Sequence, residues 1–257
     1  MTQTTAGEIF EFLKLIAPLE LQMDFDNAGF LIGNRGQRVD KALLALDATG
    51  EVIDEAIDFG ADMIITHHPL IWNAMKSLTA DDITQRRVMK LVKNDISLVS
   101  MHTNLDIADG GVNDVLLSLL GADLISALDE DGCGRVGQLR EPADMERFLP
   151  FCKAALRTNG LRYYDAGRPV ERLAVMGGAG GSSVERAYEL GCDTYLTSDI
   201  KYDQFLTARE LGINLIDGDH FCTENPVIYA LHERLSLAFP GVELRVSQRH
   251  DQTARFA

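Results

Sequence analysis

Four of the six histidines fall in three groups whose residue types suit metal ligation. His67-His68-Pro69 is a double imidazole, while His102-x3-Asp106 and His220-x3-Glu224 each pair an imidazole with a carboxylate. Imidazole and carboxylate together suit zinc, manganese or iron, and the absence of a nearby thiolate pair argues against a structural zinc. Neighbouring strand residues point to opposite faces, so His67 and His68 reach one place only where the chain is leaving a strand, as Pro69 suggests. Each would then serve a different ion of a pair. Taken together, His67, His68, Asp106, His220 and Glu224 make a donor set for two divalent ions with positions left for water. The residues alone leave Asp106 as either a ligand or a partner that orients one. His232, within the last helix, and His250, in the polar tail, have no such company.

Strand ends must position these groups. Ala42–Leu46, Met63–Thr66 and Ile96–Ser100 read as short buried strands, and Glu51–Phe59, Asp82–Lys93 and Val112–Leu120 as the helices between and after them. Strands alternating with helices of about ten residues predict βαβ units and a mostly parallel sheet, whose sites form at the carboxyl ends of the strands. A second copy of the plan follows. Lys41–His68 aligns with Arg172–Asp199 without gaps, placing Gly60 on Gly191, Asp62 on Asp193 and Thr66 on Thr197. The expected architecture is therefore α/β, with two similar units from an internal duplication. The first spans residues 1–128 and carries His67, His68 and Asp106. The second spans 129–257 and carries His220 and Glu224, with the last helix able to pack back on the first unit. Asp129–Pro142, rich in acids and glycines, reads as the join.

His220 and Glu224 are expected just before and inside the start of the last long helix, with Thr223 as its N-cap. Glu224 would then lie at the positive helix end, which favours its ionised form. Gly177–Gly181 follows a strand and opens a helix, so it reads equally as an amide cradle for phosphate or as a plain tight turn. Trp72 either lines the mouth of the site or packs in the core.

Composition narrows the function classes. The net charge is −15, from 39 acids against 24 bases, which supplies nucleic-acid phosphates and anionic membranes poorly. No apolar stretch is long enough to span a bilayer, and the start lacks a basic, apolar leader. The four cysteines form no CxxC pair. A cytoplasmic protein is expected.

Asp26-Asn27-x-Gly29, Ile65-Thr66-His67-His68-Pro69-Leu70 and His102-Thr103-Asn104-Leu105-Asp106 together resemble one known family. So do Ser198-Asp199-Ile200-Lys201-Tyr202 and Gly218-Asp219-His220-Phe221-Cys222-Thr223-Glu224. These motifs are similar to those of the NIF-three-like (YbgI-type) dinuclear-metal proteins, often labelled GTP cyclohydrolase type-two homologues, and the match covers nearly the whole chain. The resemblance implies that His67, His68, Asp106, His220 and Glu224 bind two divalent metals (Zn, Fe or Mn), with Glu224 bridging. It also implies two intertwined three-layer α/β/α units and a ring-shaped homohexamer. Phe25 stands where many members have Trp, and Asp203 where many have His.

Two functions follow. One is a metal-dependent hydrolase of the GTP cyclohydrolase kind, acting on a nucleotide, with His102 as a catalytic proton shuttle. The other is a non-catalytic metal-binding ring that scaffolds or regulates other proteins. A nucleic-acid-processing ring is disfavoured by the acidic balance.

Overall fold

The structure is a computed structural model and describes residues 3–256. Two compact α/β units interleave along the sequence. The first runs to Asp109 and takes back Ile228–Asp251; the second is Gly110–Val227 with the chain from Gln252 onward. The division thus falls at Asp109/Gly110, not at 128/129. The reason is apolar: Leu116, Leu117, Leu120 and Ala122 join the core of the second unit.

In the first unit α1 (Ala6–Ile16) opens with a capping box, Thr5 and Glu8 each satisfying the other's backbone amide. It buries Ile9, Phe10 and Leu13 along one face. There follow β1 (Gly29–Ile32), β2 (Lys41–Ala45), α2 (Gly50–Phe59), β3 (Met63–Thr66), α3 (Ile83–Lys93), β4 (Ser97–Ser100) and α4 (Thr103–Ile107). Thr49 caps α2 at one end, and Gly60, in the left-handed region at φ 71°, closes it at the other. β2, β3 and β4 are parallel neighbours, and β1 runs antiparallel along β4. Every residue of β3 and β4 is buried, as a sheet covered on both faces requires.

The second unit contains α5 (Val112–Leu119), β5 (Ala122–Ala127), β6 (Arg135–Ala143), α6 (Met145–Leu156), β7 (Arg162–Tyr164) and β8 (Val170–Val175). It continues through α7 (Val184–Glu189), β9 (Thr194–Thr197), α8 (Tyr202–Leu211), β10 (Asn214–Asp217) and α9 (His220–Glu224). The strand order is β5-β6-β8-β9-β10-β7. The stretch read as a join is an inner strand: β6 pairs with β5 on one side and β8 on the other. Buried Val136 and Leu139 drive that pairing. Pro142 is tolerated because the register breaks between Gln138 and Ala143. Beyond α9 the chain forms α10 (Pro226–Ala238) and β11 (Glu243–Val246), and β11 lies parallel to β2 in the first sheet.

The two units repeat one construction. Ala42 faces Met63 in the first sheet, and Leu173 faces Thr194 at the equivalent register in the second. An aspartate clamps each parallel pair. Asp62 accepts from the amides of Asp40 and Lys41, and Asp193 from those of Glu171 and Arg172. The amide of Asp62 donates to the Lys41 carbonyl and that of Asp193 to the Arg172 carbonyl. Among the described residues no helix is long and apolar enough to cross a membrane.

Candidate metal centre

His67 and His68 are the first residues past β3, and their ring centroids lie 4.9 Å apart. The chain has left the pleat, so the strand rule no longer separates their side chains. Three bonds set this turn. The His68 amide donates to the Leu46 carbonyl, and the Thr66 hydroxyl reaches the His68 carbonyl and the Ser100 hydroxyl. His102 is the N-cap residue of α4, one strand over, and Asp106 follows four residues on within that helix.

Each imidazole is held from behind. His67 Nδ1 is 2.8 Å from the Met101 carbonyl, His68 Nδ1 is 2.8 Å from Asp47 Oδ1, and His102 Nδ1 is 2.8 Å from Asp26 Oδ1. Carbonyl and carboxylate oxygens only accept, so Nδ1 donates in all three and Nε2 becomes the ligating nitrogen. The ligand atoms of His67, His68 and His102 lie within 4.8 Å of one another. His67 Nε2 is 3.6 Å from Asp106 Oδ1. His67 is fully buried.

Asp26 is itself well anchored. Burial raises its pKa, but hydrogen bonds from His102 and from the hydroxyl and amide of Thr103, with attraction to His102, outweigh that and hold it at about 2. It stays a carboxylate at neutral pH, a fixed acceptor for the imidazole.

In the second unit His220 opens α9 and Glu224 ends it, one helical turn apart on the same face. His220 Nδ1 is 2.8 Å from Asp199 Oδ2, and His220 Nε2 is 3.1 Å from Glu224 Oε2. Asp199 adopts φ 53°, a left-handed conformation that Asp tolerates better than most residues. Asp219 is the N-cap of α9, at φ 71° with its carboxylate accepting from the Cys222 amide, and Thr223, expected to cap the long helix, lies within α9. The Thr223 hydroxyl instead donates to the His220 carbonyl and accepts from the Gly178 amide. Glu224 therefore closes a short helix and does not open the long one, so the argument from a positive helix end lapses. Burial, reinforced by Asp219, pushes the Cys222 thiol to about 12, so it is no thiolate ligand near neutral pH.

The glycine loop is a tight turn that makes room for this pair. A Cβ on Gly178 would fall 2.3 Å from Glu224 Oε1 and 3.3 Å from His220 Nε2, and one on Gly177 3.1 Å from Glu224 Cγ. Three of its amides already serve protein acceptors. Gly177 donates to Asn113 Oδ1, Gly178 to Thr223 Oγ1 and Gly180 to Thr197 Oγ1. A phosphate cradle would need those amides itself.

All six predicted site residues thus stand at strand ends or on the short helices that follow them. The sequence reading missed the acceptors behind the rings. Asp47 follows an apolar run without any motif, whereas Asp26 and Asp199 lay inside recognisable patterns that gave no sign of which ring each would hold. The donor chemistry fits a borderline divalent ion such as zinc, iron or manganese: imidazoles oriented through Nδ1 with carboxylates, and no thiolate.

Fold and donor groups define a class: α/β proteins with candidate metal-binding histidines and acids beyond the ends of parallel strands. Within it, the chain belongs to the Duf34/NIF3 (NGG1p interacting factor 3) family, whose model matches residues 4–253. A Clostridium perfringens relative named GTP cyclohydrolase 1 type 2 homolog is 36% identical over 236 residues, covering 89% of this chain and 90% of the relative. One of the same name from Methanocaldococcus jannaschii is 34% identical, over 85% of this chain and 89% of its own. Among solved structures, the Staphylococcus aureus hypothetical protein SA1388 superposes with a TM-score of 0.92 at 27% identity, over 100% of both chains. Reduced HcgD from Methanocaldococcus jannaschii gives 0.86 at 31% identity, over 96% of this chain and 99% of its own.

Proposed function

We propose that the chain binds two divalent ions (Zn, Fe or Mn) and hydrolyses a small nucleotide-like molecule in the cytoplasm, assembled as a ring-shaped homohexamer. The ligands in this reading are His67, His68 and Asp106 of the first unit and His220 and Glu224 of the second. One observation carries it: all four histidines direct Nδ1–H to a protein oxygen at 2.8 Å. One such bond is ordinary for a structural histidine. Four, at strand ends in both units, match the way metal-ligating imidazoles are oriented and made more basic at Nε2. The name shared by the relatives, GTP cyclohydrolase 1 type 2 homolog, supports a purine nucleotide as substrate.

When bound, the ions would supply a water nucleophile active near neutral pH and stabilise developing negative charge. The chain's own contribution is to fix the donors. Asp47, Asp26, Asp199 and the Met101 carbonyl lock the four rings, and Gly178 leaves space for the Glu224 carboxylate. His102 groups with His67 and His68, which supports a ligand role beside the proton-shuttle role read from sequence.

Elemental analysis tests the reading. Two ions per chain are expected, and His67→Ala, Asp106→Ala and Glu224→Ala should each lose at least one. Unchanged content in all three variants overturns the assignment. His102→Gln with reduced metal makes His102 a ligand; full metal with turnover lost makes it the shuttle. Full occupancy without turnover on nucleotides, phosphoesters and cyclic amides would leave the scaffold as the function.

A further inference from the structure

Beside the three imidazoles the first unit holds two aromatic rings in water. Trp72 is 47% exposed and Phe25 64% exposed, although both side chains lose free energy by staying there. Their ring centroids are 6.3 Å apart, and the Trp72 ring is 5.4 Å from that of His102 at 75°. His68 continues the series, 5.5 Å from His102. Phe25, Trp72, His102 and His68 therefore form an unbroken run of flat surfaces from solvent to the candidate metal centre.

Neither exposed ring rides on a loose segment. Ile71 and Met75, on either side of Trp72, pack against the core of the unit. Asn27 Nδ2 donates to the Ile71 carbonyl at 2.6 Å, tying the Phe25 turn to the Trp72 loop. Asp26, next to Phe25, is bonded to His102 and Thr103. The Asp26-Asn27 pair thus fixes Phe25, Trp72 and His102 in one frame. Two exposed aromatics held rigidly cost little further entropy when a partner covers them, which makes them an economical recognition surface.

We infer that Phe25 and Trp72 form a stacking ledge that holds a planar heteroaromatic ring, such as a nucleobase, next to the imidazole cluster. Flatness and neighbours choose the occupant. A π-face binds any planar base without needing matched hydrogen-bond donors. The ledge lies beside donors suited to metal ions, so a molecule carrying both a base and polar groups would span the two. The inference rests on the metal-centre reading for the claim that this ring belongs to the substrate.

Trp72 is the single tryptophan of the chain, so its emission reports on the ledge alone. Purified protein, with metal content measured on the same sample, is titrated with guanosine and adenosine, and with ribose as the control. Saturable change in Trp72 emission with the nucleosides and none with ribose is the expected result. By calorimetry, Phe25→Leu and Trp72→Leu should each weaken nucleoside binding by about tenfold, with metal per chain unaltered. Nucleosides that bind no better than ribose, or as well to both variants, overturn the ledge. So does emission that depends only on protein concentration, which would assign the rings to contact between copies. Nucleoside binding by a chain that holds no metal would keep the ledge and sink the metal centre, so the two failures are distinguishable.

Discussion

Asp47 and Asp199 each place a carboxylate oxygen behind an imidazole, that of His68 and that of His220. Asp47→Asn and Asp199→Asn keep shape but weaken the acceptor and its charge. Each should reduce metal affinity by about 10–100-fold, read by competition with a chelator, while the circular dichroism spectrum stays unchanged. Asn also tolerates the left-handed backbone at 199, so that variant tests the carboxylate and not the turn. Gly178→Ala tests space. Its Cβ would fall 2.3 Å from Glu224 Oε1 at a φ of +68°, so the carboxylate or the loop must shift. Metal content should fall and stability should drop by roughly 1 kcal/mol or more. Full metal with normal stability would show that Glu224 has slack. Glycines at 177 and 178 were visible in the sequence as a possible anion cradle; that they clear room for a glutamate was not, because Glu224 is more than forty residues away.

At the level of elements, Glu55 on α2 ties down the chain just beyond β11. Its carboxylate accepts from the Ser247 hydroxyl and from the amides of Gln248 and Arg249. Burial alone would raise its pKa, but those bonds and the Arg249 charge prevail and lower it from the usual 4.5. A depressed carboxylate stabilises above its unfolded pKa and loses that contribution as pH falls through the folded one. Exchange at the Gln248 and Arg249 amides should therefore accelerate as pH falls below about 4.5, over and above the intrinsic rate. Glu55→Gln should be fast at neutral pH already and lack that extra dependence. Equal protection in both proteins at pH 7 would remove Glu55 as the tie. The periodic elements α2, α3 and β2 to β4 were legible because each carries its own pattern and turn signals. β6 was not: its buried Val136 and Leu139 are too few to stand out among flanking acids, glycines and Pro142.

For the whole molecule, charge sets the terms of assembly. Copies carrying −15 repel one another, and screening shortens that repulsion to about 8 Å at physiological ionic strength. The proposed homohexamer should therefore be the dominant species in light scattering at physiological salt and should dissociate more readily at low salt. A monodisperse monomer at micromolar concentration in both conditions would overturn the assembly. Excess negative charge also disfavours a nucleic acid as the partner, whereas a nucleoside presents a neutral face to the aromatic pair.

Local chemistry was enough to read the α/β class, the matched strand-and-helix pattern of the two units and the placing of four histidines at strand ends, since alternation, capping and the His-His-Pro and H-x3-acid spacings all act within a few residues. The clamp aspartates, Asp62 and Asp193, even appeared as matched positions before their role was known. Folding settled what depends on residues far apart in the chain. It put Asp26 behind His102, Asp47 behind His68 and Asp199 behind His220, separations of 76, 21 and 21 residues. It also moved the unit boundary to Asp109, because apolar burial by α5 and β5 outweighs the composition of the stretch that follows. Hydrogen-bond acceptors of this kind carry no periodicity, so only a closed sheet register brings them to the ring they hold.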